Sequence, residues 1–145
     1  MNLSAETGLR RVMETLNERI IPVLPDGFAV EVMRLAGLVM AISTNSIDGA
    51  VTLRVAENAA MRTLFRDAAP VVSNPALTDA LQQGAASVDS GLKISQLDRD
   101  NNALRTVLVQ LHEHVEQIDS PAARAIDSRI WRMLQAFEAE RAPRR

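Results

Sequence analysis

Apolar residues recur every three or four positions through most of this sequence, so rods carrying one apolar face are its expected building units. Leu9, Val12, Met13, Leu16 and Ile20 trace the first such face, behind Ser4 as N-cap and Glu6 in the first turn. Pro22 and Pro25 are expected to end that helix. Asp26-Gly27 is a turn signal, with Asp26 a candidate cap for a second helix. There Phe28, Val32, Leu35, Val39 and Ile42 repeat helically, while Val30, Met33, Leu38 and Met40 fall off that face. A helix apolar nearly all round belongs at the centre of a bundle or at an oligomer contact. The polar run Ser43-Thr44-Asn45-Ser46 is expected to break it.

A third helix is predicted from about Ile47 to Ala68, with Ile47, Val51, Met61 and Phe65 on one side and Pro70 closing it. Asn74-Pro75 supplies a cap and a first-turn proline for a short fourth helix carrying Leu77 and Leu81, which Gly84 is expected to terminate. Residues 84–93 are small and polar, the best candidate for a flexible loop and for a boundary between halves. The fifth helix has the clearest pattern: Leu97, Asn101, Leu104, Leu108, Leu111, Val115 and Ile118 alternate steps of four and three. Ser95 with Asp98 resembles a capping box at its start. Ser120-Pro121 opens a sixth helix, packed through Ile126, Ile130, Met133 and Phe137, and Pro143-Arg144-Arg145 reads as a frayed end. No convincing period-two alternation occurs, so strand is not expected. The predicted fold is an all-α, compact bundle of about six helices, arranged as two related helix pairs if the echo described next is a duplication.

Residues 57–65, ENAAMRTLF, align without gaps on residues 100–108, DNNALRTVL. Each segment is followed by a helix opened by a capping residue and Pro-Ala, at Asn74-Pro75-Ala76 and at Ser120-Pro121-Ala122. On a helical wheel Asn58 falls between Ile47, Val51 and Phe65, and Asn101 between Leu97, Leu104 and Leu108. Both amides therefore point inward, where each needs a defined hydrogen-bond partner. Two readings follow. Asn58 against Asn101 across a helix pair would fix register, as a single Asn does in a coiled coil. Alternatively Arg54, Asn58, Arg62, Asn101 and Arg105 would line a cleft for an anionic or acyl-CoA-like ligand, since the arginine fork matches carboxylates and phosphates.

Bulk properties narrow the remaining classes. The 145 residues are 47% hydrophobic and 23% charged, a globular balance that predicts a single domain spanning 1–145. The longest apolar stretch, from Phe28 to Ile42, contains Glu31 and Arg34 and falls short of the roughly 20 residues a membrane span needs, so no membrane partner is expected. Residues 1–11 lack a secretory pattern, and a cytoplasmic location is expected. A net charge of -2 with mixed signs gives no reason to expect nucleic acid. With no cysteine, disulfides, thiolate metal sites and a Cys nucleophile are excluded.

Catalytic signals are absent. No Ser sits in a strand-to-helix elbow, no glycine-rich loop has phosphate-binding spacing, and the carboxylate pairs Asp98/Asp100 and Glu138/Glu140 lie among basic residues as solvated faces do. His112 and His114 are about 200° apart on a helix and cannot share an ion. His112 with Glu116 has i+4 ligand geometry, but no third ligand is evident, so neither metal nor cofactor is expected. Trp131 lies at the margin of its helix's apolar face and reads as a partly buried core residue, with an interface anchor as the other reading.

The stretch ETLNERIIPVLPDGFAVEVMRLA, followed by AENAAMRTLF, resembles an uncharacterised family of small helical proteins encoded beside acyl-CoA dehydrogenases and aminoglycoside-phosphotransferase-like proteins. It covers the first half of the chain and carries over no catalytic residues. The resemblance implies an accessory role near acyl-CoA or phosphotransfer metabolism. The reading that gathers these observations is a non-enzymatic helical accessory protein, a homodimer or the partner of a metabolic enzyme. Its contact surface would be the second helix's apolar side or the fifth helix's heptad face.

Overall fold

The structure is a computed structural model describing residues 4–25 and 27–142, the side chains of Asn45 and Asp48 aside. Every regular element among these residues is helical: α1 (Ala5–Thr15), α2 (Phe28–Ala68), α3 (Pro75–Ala86), α4 (Ile94–Glu116) and α5 (Pro121–Arg141). No single helix among them is long and apolar enough to cross a membrane. The described chain divides into two compact units, residues 4–50 and Val51–Ala142. The expectations for Asp26 and for residues 143–145 lie outside the described residues.

In the first unit Ser4 caps α1 as expected, its Oγ accepting from Thr7 N at 3.1 Å. Pro22 has no N–H to donate and its ring crowds the carbonyl four residues back. Ahead of it the helix widens into a π turn, Leu16–Ile20, and then tightens into a 3-10 turn, Ile21–Val23. Gly27, at φ 137°, occupies a backbone region that L side chains avoid, which fits a turn immediately before α2.

A break falls where the polar run predicts one, with the helix axis bent between Thr44 and Gly49, although helical hydrogen bonding runs on through it. The polar side chains there turn back onto their own helix, a bonding pattern that bends helices. Ser43 Oγ donates to Val39 O, Thr44 Oγ1 to Met40 O and Ser46 Oγ to Ile42 O, all within 2.9 Å. Each hydroxyl thereby finds an acceptor without unwinding the backbone. The expected buried face of α1 is not buried: Leu9, Met13 and Leu16 are half-buried, Val12 and Ile20 exposed. Among the described residues 4–50 only Val30 and Thr44 are buried.

The second unit holds the core. Met61, Leu64 and Phe65 of α2 pack with Leu77 and Leu81 of α3, Leu104, Leu108, Leu111 and Val115 of α4, and Ile126, Ile130 and Phe137 of α5. The heptad positions of α4 are buried from Leu97 through Val115, so that face is used up inside the fold and is not free for a partner. Asn74 and Ser120 cap α3 and α5, accepting from Leu77 N at 3.2 Å and Ala123 N at 3.1 Å.

Two helix ends differ from expectation. Gly84 does not stop α3, which continues to Ala86. It is a point of close approach instead, since a Cβ there would lie 2.9 Å from the Phe65 ring. The start of α4 is capped at Lys93, whose N–H donates to Gln96 Oε1 at 3.4 Å, while Asp98 turns away toward Arg54.

Cross-helix bonds give the directions. Arg54 meets Asp98, and Asn58 meets Asn101, so α2 and α4 run parallel. Arg129 meets Asp67, and Arg141 meets Glu57, so α5 runs antiparallel to α2. The echoed segments therefore lie side by side in equal register. The segment 87–93 is tied down within this unit rather than dividing halves: Asp89 accepts from Asn58 and Arg62, and Asp100 accepts from the Ser90 N–H and hydroxyl. The boundary between units falls between Ala50 and Val51.

Candidate functional site

The asparagines found by sequence meet directly. Asn101 Nδ2 donates to Asn58 Oδ1 at 2.8 Å, with the two residues 2% and 0% exposed. In the low-dielectric interior an unpaired amide would be costly, so the second polar group of each amide also has a partner. Asn58 Nδ2 donates to Asp89 Oδ1 at 2.9 Å, and Asn101 Oδ1 accepts from Arg105 Nε at 2.9 Å.

The three arginines surround this pair, and the chain's own acceptors meet them. Arg62 donates through Nη2 to Asp89 Oδ1 at 2.6 Å and through Nε to Ser87 Oγ at 3.1 Å. Arg54 bridges Asp98 Oδ1 at 2.7 Å and Glu57 Oε2 at 2.6 Å. Arg105 Nη2 lies 3.8 Å from Glu57 Oε2.

Glu57 is the hub that sequence reasoning missed. Its side chain is 1% exposed, and it accepts from Arg54, Asn101 and both ends of the Arg141 fork, at 2.7 Å and 2.8 Å. Burial acts to raise the Glu57 pKa, but the hydrogen bonds and charges of Arg141 and Arg54 outweigh it and hold the carboxyl below its ordinary value. Arg141 is correspondingly pushed up by its hydrogen bonds to Glu57. The available signal was weak: Glu57 sits three residues after Arg54 and beside an inward asparagine, while Arg141 is 84 residues away. What the arrangement does chemically is to lock α2, α4, α5 and the 87–93 segment in one register through charge-assisted bonds.

A second polar group forms where α4 and α5 pack. His112 Nε2 lies 3.0 Å from Asp127 Oδ1 and 3.5 Å from Glu116 Oε1. A third side chain of a ligand type, which sequence spacing did not reveal, is Asp127, brought beside His112 by the packing of α5 on α4. The Trp131 ring meets the His112 ring edge to face, centroids 5.3 Å apart. Trp131 is half exposed at 51%, outside the core it was expected to join. His114, on another side of α4, has a buried Nε2 with no hydrogen-bond partner among the described residues.

Two open clefts mark the surface. One, of about 390 Å³, is lined mainly by Ala59, Ala60, Leu64 and Met133; the other, of about 470 Å³, lies beside Glu116 and Asp127. Neither contains the Asn58–Asn101 pair. The sequence matches no protein-family model, no curated protein and no solved structure.

Proposed function

We propose that this chain is a non-enzymatic helical interaction protein that self-associates through the first part of α2. One observation carries the reading. Phe28, Val32, Leu35, Val39 and Ile42, spaced four and three apart, are all exposed, by 44% at Val32 and up to 84% at Phe28. A stripe with that spacing is the seam by which helices pair knobs into holes. Leaving it in water forgoes roughly 1.5 kcal/mol or more per side chain. A second copy offers an identical stripe, and a two-fold axis brings the two together with no further partner.

Sedimentation at micromolar concentration tests this. The wild type is expected to run as a dimer, and the Leu35→Glu/Val39→Glu double variant as a monomer with unchanged helicity. A wild type that stays monomeric throughout overturns self-association.

The other reading, an anionic or acyl-CoA-like ligand held by Arg54, Asn58, Arg62, Asn101 and Arg105, draws less support. Each of those side chains already donates within the chain, to Glu57, Ser87, Asp89, Asp98 or one another. A ligand would compete there with charge-assisted bonds of 2.6–2.9 Å. Thermal shifts with acyl-CoA esters and inorganic phosphate decide it, because a ligand bound only by the folded state raises the midpoint with concentration.

A further inference from the structure

We propose that His112, Glu116 and Asp127 form a binding site for a divalent transition-metal ion of the zinc class, independent of the α2 association surface. The ligating atoms lie within 4.8 Å of one another and come from two packed helices. Ligands about 2.0–2.1 Å from a tetrahedral ion sit about 3.3 Å apart. The distances of 3.0 Å and 3.5 Å from His112 Nε2 to the two carboxylates straddle that spacing.

Protein-only bonding serves this group poorly. Two carboxylates converge on one imidazole nitrogen, which carries at most a single N–H and cannot donate well to both. A dication satisfies all three at once and neutralises the two carboxylate charges against a neutral imidazole. Arg124, which lines the adjoining cleft, pairs with Asp119, and among the described residues neither Glu116 nor Asp127 has a salt bridge to an arginine or lysine.

The site is also held in place. Leu111 and Val115 flank the α4 ligands, and Ile126 and Ile130 flank Asp127; all four are buried, so the helices that present the ligands are fixed by the core. Trp131 packs edge to face against His112 and restrains its ring. The 470 Å³ cleft, lined by Glu116 and Asp127, leaves room for water at the remaining coordination positions. One nitrogen and two oxygens suit zinc, cobalt or nickel better than calcium or magnesium, which take oxygen alone.

Trp131 is the only tryptophan and reports on its neighbour. The test titrates the full-length protein with CoCl2 at about pH 8, where imidazole is ordinarily neutral. Saturable one-to-one quenching of Trp131 emission is expected, reversed by ZnCl2. In Glu116→Gln and His112→Gln the cobalt affinity is expected to fall about tenfold or more, with helicity retained. Glu116 is 58% exposed, so its variant decides the matter even where the histidine variant misfolds. No saturable change in the wild type, or unchanged affinity in Glu116→Gln, overturns the site.

Discussion

Glu57 shows how a carboxylate can sit in a core without a protonation cost. Taken alone, burial would favour its neutral form; Arg141 and Arg54 reverse that, so it stays charged and holds three helices together. Because its folded pKa lies below the ordinary 4.5, the unfolded chain takes up the proton first as pH falls. The stabilisation is therefore complete above that ordinary value and is lost as pH drops through the lower, folded one. Urea midpoints are expected to decline with acidification across this window, with a shallower slope in Glu57→Gln; parallel profiles would show that Glu57 is not the titrating group. At neutral pH the same variant should cost about 2–4 kcal/mol, somewhat less than for a fully buried pair because Arg141 is partly exposed. The asparagine pair was legible in the sequence because helical periodicity alone turns Asn58 and Asn101 inward. The residues that complete the network were not. Asp89 lies in a non-helical segment that no period describes, and Arg141 approaches Glu57 only once α5 has packed antiparallel to α2.

Among the helices, α2 follows its local sequence signal at the polar run and α3 departs from its own at Gly84, and in each case a nearby group shapes the outcome. Polar residues at 43–46 read as a break, and the axis does bend between Thr44 and Gly49; the hydroxyls of Ser43, Thr44 and Ser46 bond backward to carbonyls, which keeps the helical hydrogen bonding continuous through the bend. Gly84 read as a stop, yet α3 runs past it because the missing side chain admits the Phe65 ring. Gly84→Ala tests that reading. A methyl 2.9 Å from a fully buried ring should cost about 1–3 kcal/mol in overpacking, against about 1 kcal/mol gained in helix propensity. A net loss of about 1 kcal/mol is expected from chemical denaturation, and a more stable variant would refute the close-approach role.

Across the molecule, burial is uneven. Every buried apolar residue among those described, Val30 excepted, belongs to the unit Val51–Ala142. That unit closes its own core and its own polar network, whereas residues 4–50 carry the exposed α2 stripe. A fragment spanning 51–142 is therefore expected to unfold cooperatively with a midpoint within a few degrees of the full chain, and to remain monomeric where the full chain dimerises. Calorimetry and light scattering on the fragment check both parts. A fragment that fails to fold would show that the core needs residues 4–50.

Helical periodicity, capping residues and prolines were enough to establish an all-α chain, the starts of α1, α3 and α5 and the buried face of α4, because these depend on contacts within a few residues. Periodicity says which residues share a face, but not what that face meets. The α4 stripe lies inside four packed helices and the α2 stripe lies in water, although both step by four and three. Glu57 with Arg141, and Asp127 with His112, are likewise products of packing direction. Their bonds join residues 84 and 15 positions apart, and only the arrangement of helices in space brings those charges within reach.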